Sequence, residues 1–285
     1  MRIAVAVDWS DQAFSAVSTA VKLYKPKELV LIHAVDLRPF ENPLLAPPVA
    51  TQAFKEFQQA MVESGTQLLD GIEGTVRAEG VQITRRLEVG HSAMVILNAV
   101  ASAHPDLLAV GATGKGRVGE MALGSVSHRL FLHAPCSTLV VKNPLNELRR
   151  VLLAVEGPDD AERLTNWLRT YPFTKPVDVL VVSILPVQGL MDPATIPALE
   201  PWDQATIAGA QHLVNDVAAS LSDDPYRATG RVLRGHPAAA IAHEALGCDV
   251  VIVGSHGRKG LERFLVGSVS HAVTHRVICP VLVIR

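Results

Sequence analysis

The chain has 285 residues, of which 48% are apolar and 19% charged, and its formal charge is -2. This composition excludes a disordered chain and a polyanion-coating one, so no nucleic-acid partner is expected. At about 100 to 200 residues per domain the length suits two domains. The apolar runs are strand-sized, short of the roughly 18 residues a membrane helix needs, and Asp8 interrupts the first of them. A cytoplasmic protein with no membrane partner is therefore expected.

From the N-terminus, Arg2 to Val7 is a β-rich run ending at Asp8, and Ser10 is placed to cap a helix that turns Ala13, Ala16, Val17, Ala20 and Val21 inward. Leu29 to Val35 is a continuous apolar run of the kind found in parallel strands buried on both faces. Pro39, Pro43, Pro47 and Pro48 then impose a loop, a candidate lid, before a helical stretch from about Ala50 to Ala78. Strands are expected at Val81 to Val89, Leu107 to Val110 and Ser137 to Val141, with helices at Ala93 to Ala103 and Val126 to Phe131.

After a polar junction, Lys142 to Arg150, the plan repeats. Val151 to Val155 ends at Glu156, Val177 to Leu185 leads into a Pro-containing loop up to Pro201, and a helix is expected from about Gln204 to Leu221. Arg231 to Leu233 reads as a weak third strand, Ala238 to Leu246 as a helix, and Val250 to Val253 as a strand. Val269 to Val277 is expected to be helical and Pro280 to Ile284 to be the last strand. Alternation of this kind predicts an α/β fold: two tandem, doubly wound, five-stranded parallel-sheet domains of Rossmann-like type, residues 1–145 and 146–285, related by a pseudo-two-fold axis. Cys136, Cys248 and Cys279 have no Cys-x-x-Cys spacing, which points to buried reduced thiols.

The repeat carries chemistry. Gly111-Ala112-Thr113-Gly114 closes at Gly124-Ser125-Val126-Ser127, and Gly254-Ser255-His256-Gly257 closes at Gly267-Ser268-Val269-Ser270. Both copies have the spacing Gly-x2-Gly-x9-Gly-Ser, and 143 positions separate Gly124 from Gly267. Glycines at a strand end are expected to allow a turn through φ > 0 and a close approach to peptide N–H groups. The following Gly-Ser stands before a helix whose first N–H groups attract phosphate. A glycine-rich surface turn with a Ser cap is the bland alternative, and a second copy in the same register weighs against it. Gly90-His91 and Gly235-His236 recur as well.

Taken with the Val-Asp that ends the first strand and Cys279-Pro280-Val281-Leu282-Val283, this double pattern resembles the universal stress protein family, as a tandem pair of nucleotide-binding domains covering the whole chain. The resemblance implies binding of an adenine nucleotide, ATP or else ADP or AMP, with Mg2+, in a regulatory protein. The positions it implies as contacts are Asp8, Ala34, Gly111, Gly114, Gly124, Ser125, Val126 and Ser127 in the first half. In the second they are Glu156, where the family usually has Asp, with Ile184, Gly254, Gly257, Gly267, Ser268, Val269 and Ser270. It also implies pairing through the last strands, giving an internal pseudo-dimer and a possible homodimer of the tandem chain.

Lys115, Arg117, Arg258 and Lys259 could screen phosphate charge or be solvated loop cations. His128 and His271 follow the two Gly-Ser-Val-Ser segments as packed or surface residues, and His256 is replaced by Thr113 in the first half. Gly114-x-Gly116-x-x-Gly119 follows the fourth strand rather than the first, which argues against a dinucleotide fingerprint. The chain has no Gly-x4-Gly-Lys-Ser/Thr loop, Gly-x-Ser-x-Gly elbow or His-Glu-x2-His pair. The rival to nucleotide-dependent regulation is a slow ATP hydrolase or adenylyl-transfer enzyme, with Asp8 and Glu156 as candidate bases. An interaction module with an empty cleft is the third reading.

Overall fold

The structure, a computed structural model, describes residues 1–38, 50–76, 80–114, 123–186, 196–223, 225–255 and 266–285, with the backbone alone at 50–51 and 196–199. The chain divides into two compact units, Met1–Pro144 and Leu145–Arg285. The Pro-rich lid segment and the loop cations Lys115, Arg117, Arg258 and Lys259 lie outside the described residues, as do His256 and Gly257.

The first unit runs β1 (Arg2–Ala6), α1 (Asp11–Tyr24), β2 (Glu28–Val35), α2 (Ala50–Val76), β3 (Gln82–Val89), α3 (Ser92–Ala103), β4 (Leu107–Gly111), α4 (Ser125–His133) and β5 (Ser137–Val141). Its strands are parallel and lie in the order β3-β2-β1-β4-β5. The chain winds one way from β1 to β3 and the other way from β4 to β5, so the crevice of this fold opens between the carboxyl ends of β1 and β4. Continuous apolar runs supply the strands that helices cover, and β4 and β5 are buried along their whole length. The edge strand β3, with Arg85, Arg86 and Glu88, is only half-buried.

The second unit runs β6 (Arg150–Ala154), α5 (Pro158–Thr170), β7 (Val177–Leu185), α6 (Ile196–Ser220), β8 (Tyr226–Arg234), α7 (Pro237–Glu244), a short 3-10 turn, β9 (Val250–Gly254), α8 (Ser268–Arg276) and β10 (Val281–Ile284). Its parallel order is β8-β7-β6-β9-β10, the same winding as in the first unit. Matching bonds fix the two sheets: Arg2 N–H donates to Asp106 at 2.7 Å and Arg150 N–H to Asp249 at 2.8 Å.

Two elements differ from expectation. Helix α6 begins at Ile196 and passes through Pro201, where a loop was expected. A proline near the start of a long helix removes one backbone bond, and packing of the helix on β7 and β8 offsets that loss. Strand β8 has nine residues, not three, because it pairs with β7 from Val177–Tyr226 to Leu185–Arg234. Gly230 in its middle is a close-approach glycine: a Cβ there would lie 2.8 Å from the Val214 backbone of α6. Cys279 is buried as expected, whereas Cys136 and Cys248 are half-buried. Among the described residues no helix is long and apolar enough to cross a membrane.

The second core contains a buried hydroxyl with a measurable role. Tyr226 Oη donates to the Leu168 carbonyl at 3.0 Å and accepts the Phe173 N–H at 3.2 Å, and its ring meets Phe173 edge-on. Burial pushes its pKa from the ordinary 10.0 up to about 12. The unfolded chain then loses this proton first, so the contribution is complete below pH 10 and declines as pH rises towards about 12. Tyr226→Phe should cost about 1–3 kcal/mol near neutral pH, through the two buried hydrogen bonds it removes, and should flatten the alkaline decline. Urea unfolding at pH 8 and pH 11 checks both effects.

Candidate functional site

The first unit contains a cavity of about 660 Å³ at the β1–β4 crevice. All eight first-half positions singled out from the sequence line it: Asp8, Ala34, Gly111, Gly114, Gly124, Ser125, Val126 and Ser127. One wall is the Asp8 turn, where Oδ1 accepts the Ser10 N–H at 3.0 Å and the Ser10 hydroxyl. Ser10 Oγ in turn accepts the Ala13 N–H at 3.2 Å, so one serine caps α1 and orients the carboxylate. Asp8 Oδ2 faces Gly114, where a Cβ would come within 2.7 Å of it.

The opposite wall is the start of α4. Ala112 N–H donates to the Val141 carbonyl, Gly124 N–H to the Ala112 carbonyl and His128 N–H to the Gly124 carbonyl, each at 2.8 Å. Helix geometry leaves the N–H groups of Ser125, Val126 and Ser127 without an intrahelical acceptor, and no side chain caps this helix. Three donors and the positive helix end border the cavity, an arrangement suited to phosphate. Ser127 Oγ–H donates to the Gly111 carbonyl at 2.6 Å and Ser270 Oγ–H to the Gly254 carbonyl at 2.5 Å. Each hydroxyl thus ties its helix to the preceding strand, and an anion at Ser127 meets the backbone N–H rather than the side chain.

The expected reason for the glycines needs correction. Among the described glycines only Gly80, Gly90 and Gly235 have positive φ, and Gly124 and Gly267 sit at φ −64 and −62. Close approach is what requires Gly111, since a Cβ there would lie 2.7 Å from the Gln12 carbonyl carbon of α1. At Gly254 a Cβ would collide with the Asp160 carboxylate and stand 2.7 Å from the Arg163 guanidinium. Gly124 differs: its Cβ would keep 3.6 Å from Ala112, Thr113 and Gly114, so packing against the described residues does not require glycine there. The positive φ belongs instead to the recurring Gly-His pairs, at Gly90 (φ +141) and Gly235 (φ +149).

The second unit repeats much of this frame. Ser255 N–H donates to the Ile284 carbonyl, Gly267 N–H to Ser255 and His271 N–H to Gly267, so Ser268, Val269 and Ser270 open α8 as their counterparts open α4. Ile184 lies near the end of β7 and Glu156 is exposed just beyond β6.

The lining also includes residues that the sequence reading did not place in the site, among them the polar His33, Ser92, Thr113 and His128. His33 donates from Nδ1 to the Val7 carbonyl at 2.8 Å, and its ring packs against Gly65 of α2, where a Cβ would meet it at 2.7 Å. A helix-interior glycine was the available signal. Thr113 and Ser92 also line the cavity. The Ser92 N–H donates to Asp36 at the end of β2, and Asp36 also pairs with Arg38 at 2.6 Å. The Arg38 bonds hold the Asp36 carboxyl down at about 2.

Comparison with known proteins agrees with this frame. The family model described as the universal stress protein family matches residues 1–142 and again 147–285. A universal stress protein of Mycobacterium tuberculosis is 27% identical over 299 residues, covering 99% of this chain and 96% of its own. One from Mycolicibacterium smegmatis is 29% identical over 212 residues, covering 72% of this chain and 70% of its own. The crystal structure of a universal stress protein from Archaeoglobus fulgidus shares the fold, with a TM-score of 0.64 at 17% identity, covering 100% of this chain and 96% of that one. With its family model matched twice over two similarly wound units, the chain belongs to the universal stress protein family.

Proposed function

We propose that the first half binds an adenine nucleotide, ATP or its product ADP or AMP, and that this occupancy serves regulation in a stress response rather than turnover. The observation that carries the reading is the meeting, in one cavity, of a held carboxylate at the end of β1 and three open N–H groups at the start of α4. The volume of about 660 Å³ suits a ligand of this size, since small-molecule sites run to about 300–1,000 Å³. In this reading the phosphates take the helix end, and Asp8 Oδ2 accepts from a ribose hydroxyl. Mg2+ arriving with ATP would be held chiefly by phosphate oxygens and water, with Asp8 the one carboxylate among the described lining residues.

Isothermal calorimetry with ATP and MgCl2 is the test. The expected result is saturable heat that ADP or AMP competes away and that Asp8→Asn abolishes. Absence of heat and of any thermal stabilisation up to millimolar ATP would contradict the proposal.

A further inference from the structure

The two glycine motifs are equal in spacing, which by itself implies two nucleotides per chain. The structure distinguishes the halves, and we infer that the chain holds one nucleotide, in its first half, because Ser10 orients Asp8 and Pro158 cannot do the same for Glu156. This inference rests on the nucleotide reading of the first cavity.

An offset of 148 positions carries β1 onto β6, Asp8 onto Glu156, Ser10 onto Pro158 and Gln12 onto Asp160. Ser10 supplies two donors to Asp8 Oδ1, its N–H and its hydroxyl, and so turns Oδ2 towards Gly114. Proline has neither an N–H nor a hydroxyl, so Pro158 removes both donors at once. The longer Glu156 side chain is exposed beyond β6, and its own N–H is drawn to Asp160 Oδ2 at 3.1 Å.

Asp160 changes the neighbour of the strand-end glycine as well. The neutral Gln12 presents its backbone to Gly111, but its counterpart Asp160 brings a carboxylate against Gly254, paired with Arg163 at 2.6 Å. The Asp160 side chain is 11% exposed and that of Arg163 33%. Burial pushes the Asp160 pKa up, with the neighbouring Glu156 charge adding to the rise. At this turn the second half carries the carboxylates of Glu156 and Asp160, and the Arg163 guanidinium beside them is bonded to Asp160. The first half has the neutral Gln12 in place of Asp160 and an Asp8 held by Ser10. Glycine spacing is thus preserved in both halves, and the residue two positions after the strand-end acid decides which half takes the ligand.

Native mass spectrometry of the full chain with ATP and MgCl2 counts the ligands. One ATP is expected for the unmodified chain and none for Asp8→Asn. The double variant Glu156→Asp/Pro158→Ser restores the shorter acid and both donors, and it is expected to carry two. Two ATP on the unmodified chain, or one that survives Asp8→Asn, would overturn the inference while leaving nucleotide binding intact. A double variant that keeps its circular dichroism spectrum and still carries one would overturn the role given to Pro158. No ATP on the unmodified chain would remove the nucleotide reading itself, and this inference with it.

Discussion

Gly111→Ala is expected to destabilise the first unit by about 1–3 kcal/mol or to prevent its folding, because the added methyl must displace a backbone rather than a side chain. Its Cβ would lie 2.7 Å from the Gln12 carbonyl carbon and 2.9 Å from the Gln12 oxygen, both fixed in the first turn of α1. Gly124→Ala should behave in the opposite way. Its backbone already sits at φ −64, ψ 160, open to any residue, and among the described residues the new methyl would find no atom nearer than 3.6 Å. Stability should therefore change by less than about 1 kcal/mol, the entropy gained from the unfolded chain opposing a slightly poorer cap. One of the 3.6 Å neighbours is the Gly114 nitrogen, so the methyl fills open space between the loop and the helix end. ATP affinity should fall by about tenfold or more, equivalent to ~1.4 kcal/mol. Thermal melts and calorimetry on the pair would check this. A Gly111→Ala protein as stable as the parent would contradict the close-approach account, and full affinity in Gly124→Ala would contradict the cradle.

The second large effect is expected at Asp8. Asp8→Asn keeps an oxygen able to accept both bonds from Ser10, so α1 should retain its cap and the melting temperature should move little. It also replaces the acceptor Oδ2 by an amide that donates, directly opposite Gly114. A ribose hydroxyl then faces a donor, and a site built to accept loses far more than one bond of the same kind, about 10⁴-fold in strongly discriminating cases. Loss of detectable ATP binding without loss of stability is the expected signature. Asp8→Ala should match it in binding and melt lower, because the Ser10 turn loses its acceptor. Equal binding by the parent and Asp8→Asn would remove the carboxylate from the site.

Much of the fold was legible because its strands are buried on both faces, leaving unbroken apolar runs at Leu107–Val110 and Leu139–Val141. The capped start of α1 at Ser10 and the bounds of β7, Val177–Leu185, were legible for similar local reasons. By contrast, β8 was largely hidden, since Arg227, Gly230, Arg231 and Arg234 interrupt any apolar pattern and only pairing with β7 defines its length. Helix α5 enters the sequence reading only as part of the repeat, although Ala161, Leu164, Thr165 and Leu168 bury one helical face. Six first-half positions, Gly111, Gly114 and Gly124 to Ser127, were legible as a set because glycine spacing survives in the sequence, and Asp8 and Ala34 came through the family resemblance, but why each glycine is there was not legible. Gln12 beside Gly111, and Asp160 with Arg163 beside Gly254, are tertiary neighbours far away in the chain. The same holds for His33, whose partner carbonyl at Val7 lies 26 positions away.

The most direct test of the central claim is a titration of the isotopically labelled protein with ATP and MgCl2, following backbone amide resonances by NMR. The largest shifts should fall on Ser125, Val126 and Ser127, the open N–H groups of α4, together with Gly114 and the Asp8 turn. Saturating shifts confined to other segments, or unchanged Ser125–Ser127 amides at millimolar ATP, would contradict it.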